Sequence, residues 1–381
     1  MLGRRLYSVS LKKNVAVLDF GSSKITLVVG NKIDGHLNII ASGESDYAGF
    51  MDGEFIQPNL LKDAVKTALD SVQFDLKTRI NKLYVGVPAE FCYNMEKELS
   101  LNLTKRTLIT QKQLDRLFYV ADDNILSTTH TIINKAPMYY TLDDCNKTSQ
   151  PIGCYATSIK ARTCFILVEN QFIYLIKSIM NDLRISDYEF LGDILAQGHY
   201  LLSPEERNKG CILVDCGYIT TSVSYLLGEG IVDLKSFSLG GALITSDISE
   251  ILKLPFRHAE SVKRQIILTL QATGLDTYDY MTEKGMEKVN AGDANRIALA
   301  RIEQICDTIL SCIENFTEKP NDFSPIYLTG GGLSYMRGIE YILEKNLDRK
   351  IKIVKPRLKY SKPDLSSVIS LLDTAITIDQ L

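Results

Sequence analysis

No Cys-x-x-Cys pair occurs among the eight cysteines (92, 145, 154, 164, 211, 216, 306 and 312), and with only four histidines no zinc constellation can be drawn. Most of the cysteines sit inside apolar runs and read as small buried hydrophobes. The N-terminal residues do not read as a signal peptide, so a reducing cytosol is the expected compartment. No stretch approaches the ~18–20 consecutive apolar residues that span a bilayer, so the chain is not expected to cross one by itself. A basic excess is missing too: 43 Lys+Arg against 46 Asp+Glu leave a formal net charge of −3, which argues against a dedicated nucleic-acid binder. What remains is an ordinary globular composition, 45% apolar and 23% charged over 381 residues, enough for two to three domains.

The chain separates into four regions by pattern. From Asn14, VAVLDFG, KITLVVGN and HLNIIASGES follow one another at hairpin spacing, and LLKDAVKTALDSVQFDL then carries Leu61, Val65, Ala68, Leu69 and Val72 at helical period. A second region, about 81–163, runs from the strand KLYVGVP through a helix after Thr110 to the strands THTIINKAPMYYTLDD and TSIKARTCFILV, and reads as a compact α+β insert. The third region, GCILVDCGYITTSVSYLLGEGIVDLKSFSLGG, again reads strand, Asp-x-Gly turn, strand, strand. This echo of VLDFGSSKITLVVG implies two related halves facing each other. The fourth region holds a long helix, RIALARIEQICDTILSCIENF, a strand, PIYLTGG, and a second helix expected directly behind the glycines.

Three turns carry the chemistry. In Asp19-Phe20-Gly21-Ser22-Ser23-Lys24 the glycine lets successive N–H groups converge on one anion, the Ser22 and Ser23 hydroxyls add donors, and Asp19 is placed to hold Mg²⁺ through water. Taken singly, such a turn fits an ordinary β-hairpin equally well. The second runs from Asp215 through Gly217, Thr220 and Thr221, with Gly240 and Gly241 following; Asp215 is the second candidate for Mg²⁺. The third is Gly330-Gly331-Gly332, where bare backbone could lie against a nucleoside and a following helix N-terminus could face phosphate. All three in this order are far more specific than any one.

That order resembles the superfamily of actin, hexokinase and the heat-shock ATPase chaperones: an α/β fold of two domains that clamp ATP between a pair of Asp-Gly hairpins. More narrowly, the chain resembles the FtsA family of bacterial cell-division actin homologues, from about Val15 to Leu372. VLDFGSSKITLVVG is similar to the first phosphate motif, and LGDILAQGHYLLSPEERNKGCILVDCGYITTS to the connecting helix and second phosphate motif. GGALITSDISEILKLPFRHAESVKR is similar to the segment whose Glu260 and Lys263 would approach ribose and adenine, and IYLTGGGLSYMRGIEYI to the adenosine motif. YVGVPAEF and MYYTLDD…QPIG resemble the inserted SHS2-type subdomain, which sugar kinases and the chaperones lack. The resemblance divides the chain at 14–80, 164–206 and 356–381 for the first actin-like domain, 81–163 for the insert, 207–241 and 301–355 for the second domain, and 242–300 for its upper subdomain.

The resemblance implies a cytoplasmic protein at the inner face of the membrane that binds ATP and Mg²⁺, self-associates into filaments and links FtsZ or another division protein to the membrane. It implies at most a slow ATPase, with Asp193 where the family has a residue able to orient water; a carboxylate stabilising a helix N-terminus is the other reading of Asp193. A nucleotide-free scaffold of the same fold and a pilus-assembly adaptor of the PilM kind are the alternatives, and a small-molecule kinase is a weaker one.

Two departures stand out. The family's second hairpin reads Asp-x-Gly-Gly-Gly-Thr-Thr, whereas here Tyr218 and Ile219 replace two glycines, at about 1–2 kcal/mol if a left-handed turn is kept. Either the turn has relaxed into another type that still admits ATP, or tight recognition of the terminal phosphate is lost. The family also ends with a basic amphipathic helix, whereas SSVISLLDTAITIDQL has no Lys or Arg and is expected to pack on the first domain. The leader MLGRRLYSVSLKKN, with Leu2, Leu6 and Val9 in one row beside Arg4, Arg5, Lys12 and Lys13, offers a substitute membrane contact, as does an anchoring partner.

Overall fold

The computed structural model describes residues 14–51, 53–122, 128–143, 145–358 and 361–380; the leader at 1–13, with its expected membrane contact, lies outside them. The apolar run from Val15 and the alternation after the first glycine turn form the antiparallel strands β1 (Val15–Phe20) and β2 (Lys24–Ile33), and β3 (His36–Asp46) returns along β2. A short pair, β4 (Phe50–Met51) and β5 (Glu54–Phe55), precedes helix α1 (Pro58–Leu76). Pro58 fits the first helical turn, where no amide needs an intrahelical acceptor. The stripe Leu61, Ala64, Val65, Ala68, Leu69 and Val72 is buried against the sheet, each Leu or Val contributing roughly 1.5–3 kcal/mol. Strand β6 (Lys82–Val87) then enters parallel to β1.

Beyond β6 the chain leaves this sheet for the insert: β7 (Cys92–Leu108), α2 (Gln111–Asp122), β8 (His130–Leu142), β9 (Asn146–Thr148) and β10 (Tyr155–Glu169). Its antiparallel sheet has the order β7-β10-β8-β9, with α2 packed on β7. Thr110 opens α2 as expected: its N–H and hydroxyl both donate to Gln113 Oε1, at 3.0 and 2.5 Å, the backward reach of a capping box. Leu99, Ile109, Leu117, Tyr140, Ile159 and Phe165 belong to a core of the insert's own, which is why such a unit can interrupt a larger fold.

The chain rejoins the first sheet through α3 (Asn170–Asp182) and β11 (Asp187–Gly192), which pairs parallel with β6. Helices α4 (Asp193–Leu201) and α5 (Pro204–Asn208) cross to a second lobe. There β12 (Cys211–Cys216), β13 (Thr221–Leu227) and β14 (Gly230–Phe237) repeat the opening meander. They are followed by α6 (Gly241–Ile251), α7 (Phe256–Lys263), the hairpin β15 (Thr277–Thr282) and β16 (Gly285–Asn290), α8 (Ala291–Glu314), β17 (Ile326–Thr329), α9 (Ile339–Leu347) and β18 (Ile351–Ile353). The last helix, α10 (Ser366–Asp379), returns to the first lobe and buries Val368, Ile369, Leu371, Leu372, Ala375 and Ile376 on β1, β2 and α4. Among the described residues no helix is long and apolar enough to cross a membrane. All eight cysteines are free; Cys92, Cys164, Cys211, Cys216 and Cys306 are buried, and Cys145 is exposed.

The two five-stranded sheets have one plan. Their orders are β3-β2-β1-β6-β11 and β14-β13-β12-β17-β18, and at each corresponding junction the pairing sense is the same: two antiparallel, then two parallel. The echo between VLDFGSSKITLVVG and VDCGYITTSVSYLL is thus a repeat of structure. It puts the C-terminal ends of the parallel strands of both lobes at one cleft, the position at which open α/β sheets take ligands.

Candidate nucleotide-binding cleft

Each strand that ends at the cleft delivers a group to it. Strand β1 delivers Asp19, β11 leads into Asp193, β12 carries Asp215, and β17 is followed by Gly330. The turns behind Asp19 and Asp215 close alike: Gly21 N–H donates to Lys24 O at 3.0 Å and Gly217 N–H to Thr220 O at 2.8 Å. Between the lobes lies a cavity of about 860 Å³, within the ~300–1,000 Å³ range of small-molecule sites. It is lined by Asp19, Gly21, Ser22, Ser23, Lys24, Asp193, Asp215, Gly217, Thr220, Gly241, Glu260, Lys263, Gly330, Gly331 and Gly332.

Thr221 and Gly240 are not in the lining. Thr221 is fully buried and its hydroxyl donates to Leu239 O at 2.6 Å, and Gly240 caps α6 where a Cβ would come within 2.5 Å of Tyr218 O. Both brace the second hairpin from behind. Nor does a helix open directly behind the glycine triplet. The chain turns through Leu333 and Met336, both buried, and α9 begins only after Gly338 at φ 88°, so no helix N-terminus follows the triplet directly. Helices α4, α6 and α7 start in the cavity wall instead, at Asp193, Gly241 and Phe256.

The glycines on this wall allow three segments to meet backbone to backbone. A Cβ on Gly332 would lie 2.3 Å from Gly217 O, and one on Gly241 would lie 2.7 Å from Gly332 Cα. Beside them Lys263 Nζ donates to Gly241 O at 3.0 Å and pairs with Glu260 Oε2 at 2.7 Å; Thr245 also donates to Glu260, at 2.6 Å. Burial alone would raise the Glu260 carboxyl, but Lys263, Thr245 and Arg264 outweigh it and hold Glu260 below the usual carboxylate range.

Tyr218 and Ile219 keep normal negative φ, so the second hairpin has relaxed from a left-handed glycine turn and carries no strain of that kind. The relaxed turn faces the first one directly: Ser22 Oγ accepts from Ile219 N–H at 3.1 Å. Thr220 Oγ1 reaches Glu90 Oε1 at 3.4 Å. Glu90 was not among the expected site residues. It sits on the short turn Ala89–Phe91 just past β6, the remaining parallel strand of the first lobe to end at the cleft.

The floor is therefore acidic. Burial pushes Asp19 up to about 6, against the Ser367 hydroxyl that donates to its Oδ1 at 2.7 Å, and the Asp215 charge adds to the rise. Burial pushes Glu90 up to about 7, reinforced by Asp215 and Asp19. Burial, then the charges of Glu90, Asp19 and Asp215, drive Asp193 well above the carboxylate range. Burial raises Asp215 too, opposed by Gln197, whose Nε2 donates to Asp215 Oδ2 at 2.7 Å. Asp193 is the first residue of α4, accepts from Ile194 N–H, and lines the cavity.

A cation fits this floor, because buried carboxylates that repel one another gain from a shared counter-charge. Among the described residues no three His, Cys, Asp or Glu side chains are grouped to hold a metal ion directly. With Asp19 and Glu90 raised to about 6 and about 7, the folded chain binds these protons more tightly than the unfolded chain. The metal-free fold therefore loses stability as pH rises from about 4 through about 7. The thermal midpoint without metal is expected to rise on acidification from about pH 8 to about pH 6, and to rise less in Glu90→Gln. Identical profiles for the two proteins would contradict the placement of Glu90 in the acidic floor.

Two like lobes that meet across a cleft at their strand ends, one of them carrying a separate α+β insert, define an actin-like protein. Residues 212–370 match the family described as cell division protein FtsA, and residues 93–167 match the SHS2 domain inserted in FtsA. Over both of these stretches the chain is similar to the FtsA family. It is 22% identical over 376 residues to cell division protein FtsA of Staphylococcus epidermidis, covering 96% of this chain and 79% of that one. It is 21% identical over 379 residues to FtsA of Neisseria meningitidis serogroup B, covering 97% and 91%. Among solved structures it is similar in fold to the PilM–PilN type IV pilus biogenesis complex (TM-score 0.63, 15% identity, covering 95% of this chain and 98% of that one). It is similar also to MreB5 of Spiroplasma citri bound to ADP (TM-score 0.58, 12% identity, 97% and 98%).

Proposed function

We propose that this chain binds an adenine nucleotide with Mg²⁺ in the cleft, assembles into filaments, and ties a division protein of the FtsZ kind to the inner face of the membrane. The observation that carries the nucleotide reading is the convergence of all but two of the expected site residues, from stretches far apart in sequence, on one cavity between two like lobes. Asp19 and Asp215 would hold Mg²⁺ through water; the ion would neutralise phosphate charge. The hairpin amides and the Ser22 and Ser23 hydroxyls would contact phosphate, and Gly241 with the glycine triplet would bare the wall for the nucleoside. Asp193 is the candidate to orient water, and any turnover is slow.

Sedimentation tests the coupling. Purified chain is expected to pellet in a concentration-dependent way with Mg²⁺ and nucleotide and to stay in the supernatant without them; a nucleotide-independent profile would contradict nucleotide-linked assembly. A second reading, an adaptor whose lobes and insert serve only to bind partners, is supported by the likeness to PilM in its complex with PilN. That reading expects partner binding with no nucleotide at all.

A further inference from the structure

The end of the cleft where the two hairpins meet is built differently from the nucleoside end. The Ile219 N–H, one of the amides a terminal phosphate would need, is already bonded to Ser22 Oγ at 3.1 Å across the cleft. Beside it the Thr220 hydroxyl is turned to the Glu90 carboxyl at 3.4 Å. Two donors of the second hairpin thus have partners from the first lobe, and one of those partners is a carboxylate. Asp19, Asp193 and Asp215 are close enough to Glu90 to act on its charge.

Three cations of the lining have carboxylate partners outside the acidic floor: Lys24 Nζ pairs with Glu44 at 2.9 Å, Lys263 with Glu260 at 2.7 Å and Arg264 with Glu260 at 2.9 Å, and Lys24 also draws Asp19 down. Lys362 lines the cavity beside Pro363 and Asp364, near Gly331 at the nucleoside end. A third phosphate added to a bound diphosphate would bring further negative charge against Glu90 and would have to break both cross-cleft contacts. A diphosphate leaves the contacts in place, and the glycine-lined wall at the other end is open to it.

We propose that the cleft selects a nucleoside diphosphate over the triphosphate, with Glu90 as the specificity-determining residue at the closed end. The proposal rests on the nucleotide reading above and adds which phosphate length the site takes. Replacement of hairpin glycines by Tyr218 and Ile219 belongs to the same design: with the turn relaxed, the hairpin closes on Ser22 instead of cradling a terminal phosphate.

The test is a calorimetric titration of the full chain with ADP and, separately, ATP, each in excess Mg²⁺, repeated on Glu90→Gln, a variant of nearly the same shape. Wild type is expected to bind ADP about tenfold or more tighter than ATP, and Glu90→Gln to narrow the ratio to about threefold or less. ATP binding as tightly as ADP overturns the selectivity and leaves the nucleotide reading intact. Binding of neither overturns both. A selective wild type whose ratio is unchanged in Glu90→Gln overturns the role given to Glu90, and the wild-type ratio decides the selectivity even where the variant fails to fold.

Discussion

Asp215→Asn is expected to weaken Mg²⁺–nucleotide binding by at least about a hundredfold while making the nucleotide-free protein more stable by about 1 kcal/mol. The two effects have opposite signs for one reason. Asp215 lies in a floor shared with Asp19, Glu90 and Asp193, where burial raises every carboxyl and the Asp215 charge adds to the rise of the other three. An amide of the same shape can still accept the proton that Gln197 donates at 2.7 Å, and it removes a charge the empty fold is better without. It also removes a ligand oxygen from the metal. A structural role alone would lower both quantities. Calorimetry for binding and a thermal melt for stability read the two separately, and a lower midpoint with unchanged affinity would contradict the assignment.

The second large effect is steric. In Gly332→Ala the new Cβ would stand 2.3 Å from Gly217 O and 2.8 Å from Cys216 O, both backbone atoms that cannot rotate away. The third motif must then separate from the second hairpin, although Gly332 N–H donates to Cys216 O at 2.7 Å in the native packing. The expected cost is about 1–3 kcal/mol of stability, with nucleotide affinity reduced about tenfold or more. Gly274→Ala is the control: a Cβ there meets nothing within 4 Å, and its midpoint should move by no more than about 0.5 kcal/mol equivalent. Equal shifts in the two variants would show that the three segments do not depend on bare backbone.

The parts of this site that were legible in sequence are those whose chemistry is local. Asp19 with Gly21, and Asp215 with Gly217, announce themselves because the turn needs its glycine within two residues of the carboxylate that ends the strand. The stripe on α1 was legible because helical period is a short-range pattern. Glu90, Gln197 and Ser367 were missed because topology alone brings them in. Glu90 arrives because β6 lies parallel to β1, with Val85 opposite Leu18. Ser367 reaches Asp19 from α10, 348 residues away along the chain.

Other misses had usable signals. Phe172, Ile173, Ile176, Ile179 and Met180 of α3 recur at helical spacing, and the hairpin of β15 and β16 pairs Thr282 with Gly285 across a tight turn. The helix expected behind the glycine triplet fails for a physical reason: buried Leu333 and Met336 hold a turn, and Gly338 takes the left-handed backbone that restarts the chain as α9. At Tyr218 and Ile219 the structure has a relaxed turn, with its amide on Ser22, and the ADP and ATP titrations decide between the two outcomes open in sequence.

Whether the cleft between the two lobes works as a nucleotide site is decided by titrating Mg²⁺–ADP into the purified chain and into Asp215→Asn in the same buffer. Saturable binding of one nucleotide per wild-type chain is expected, with its loss in the variant; no heat of binding with either protein would contradict a nucleotide site and leave a fold that serves only to hold partners.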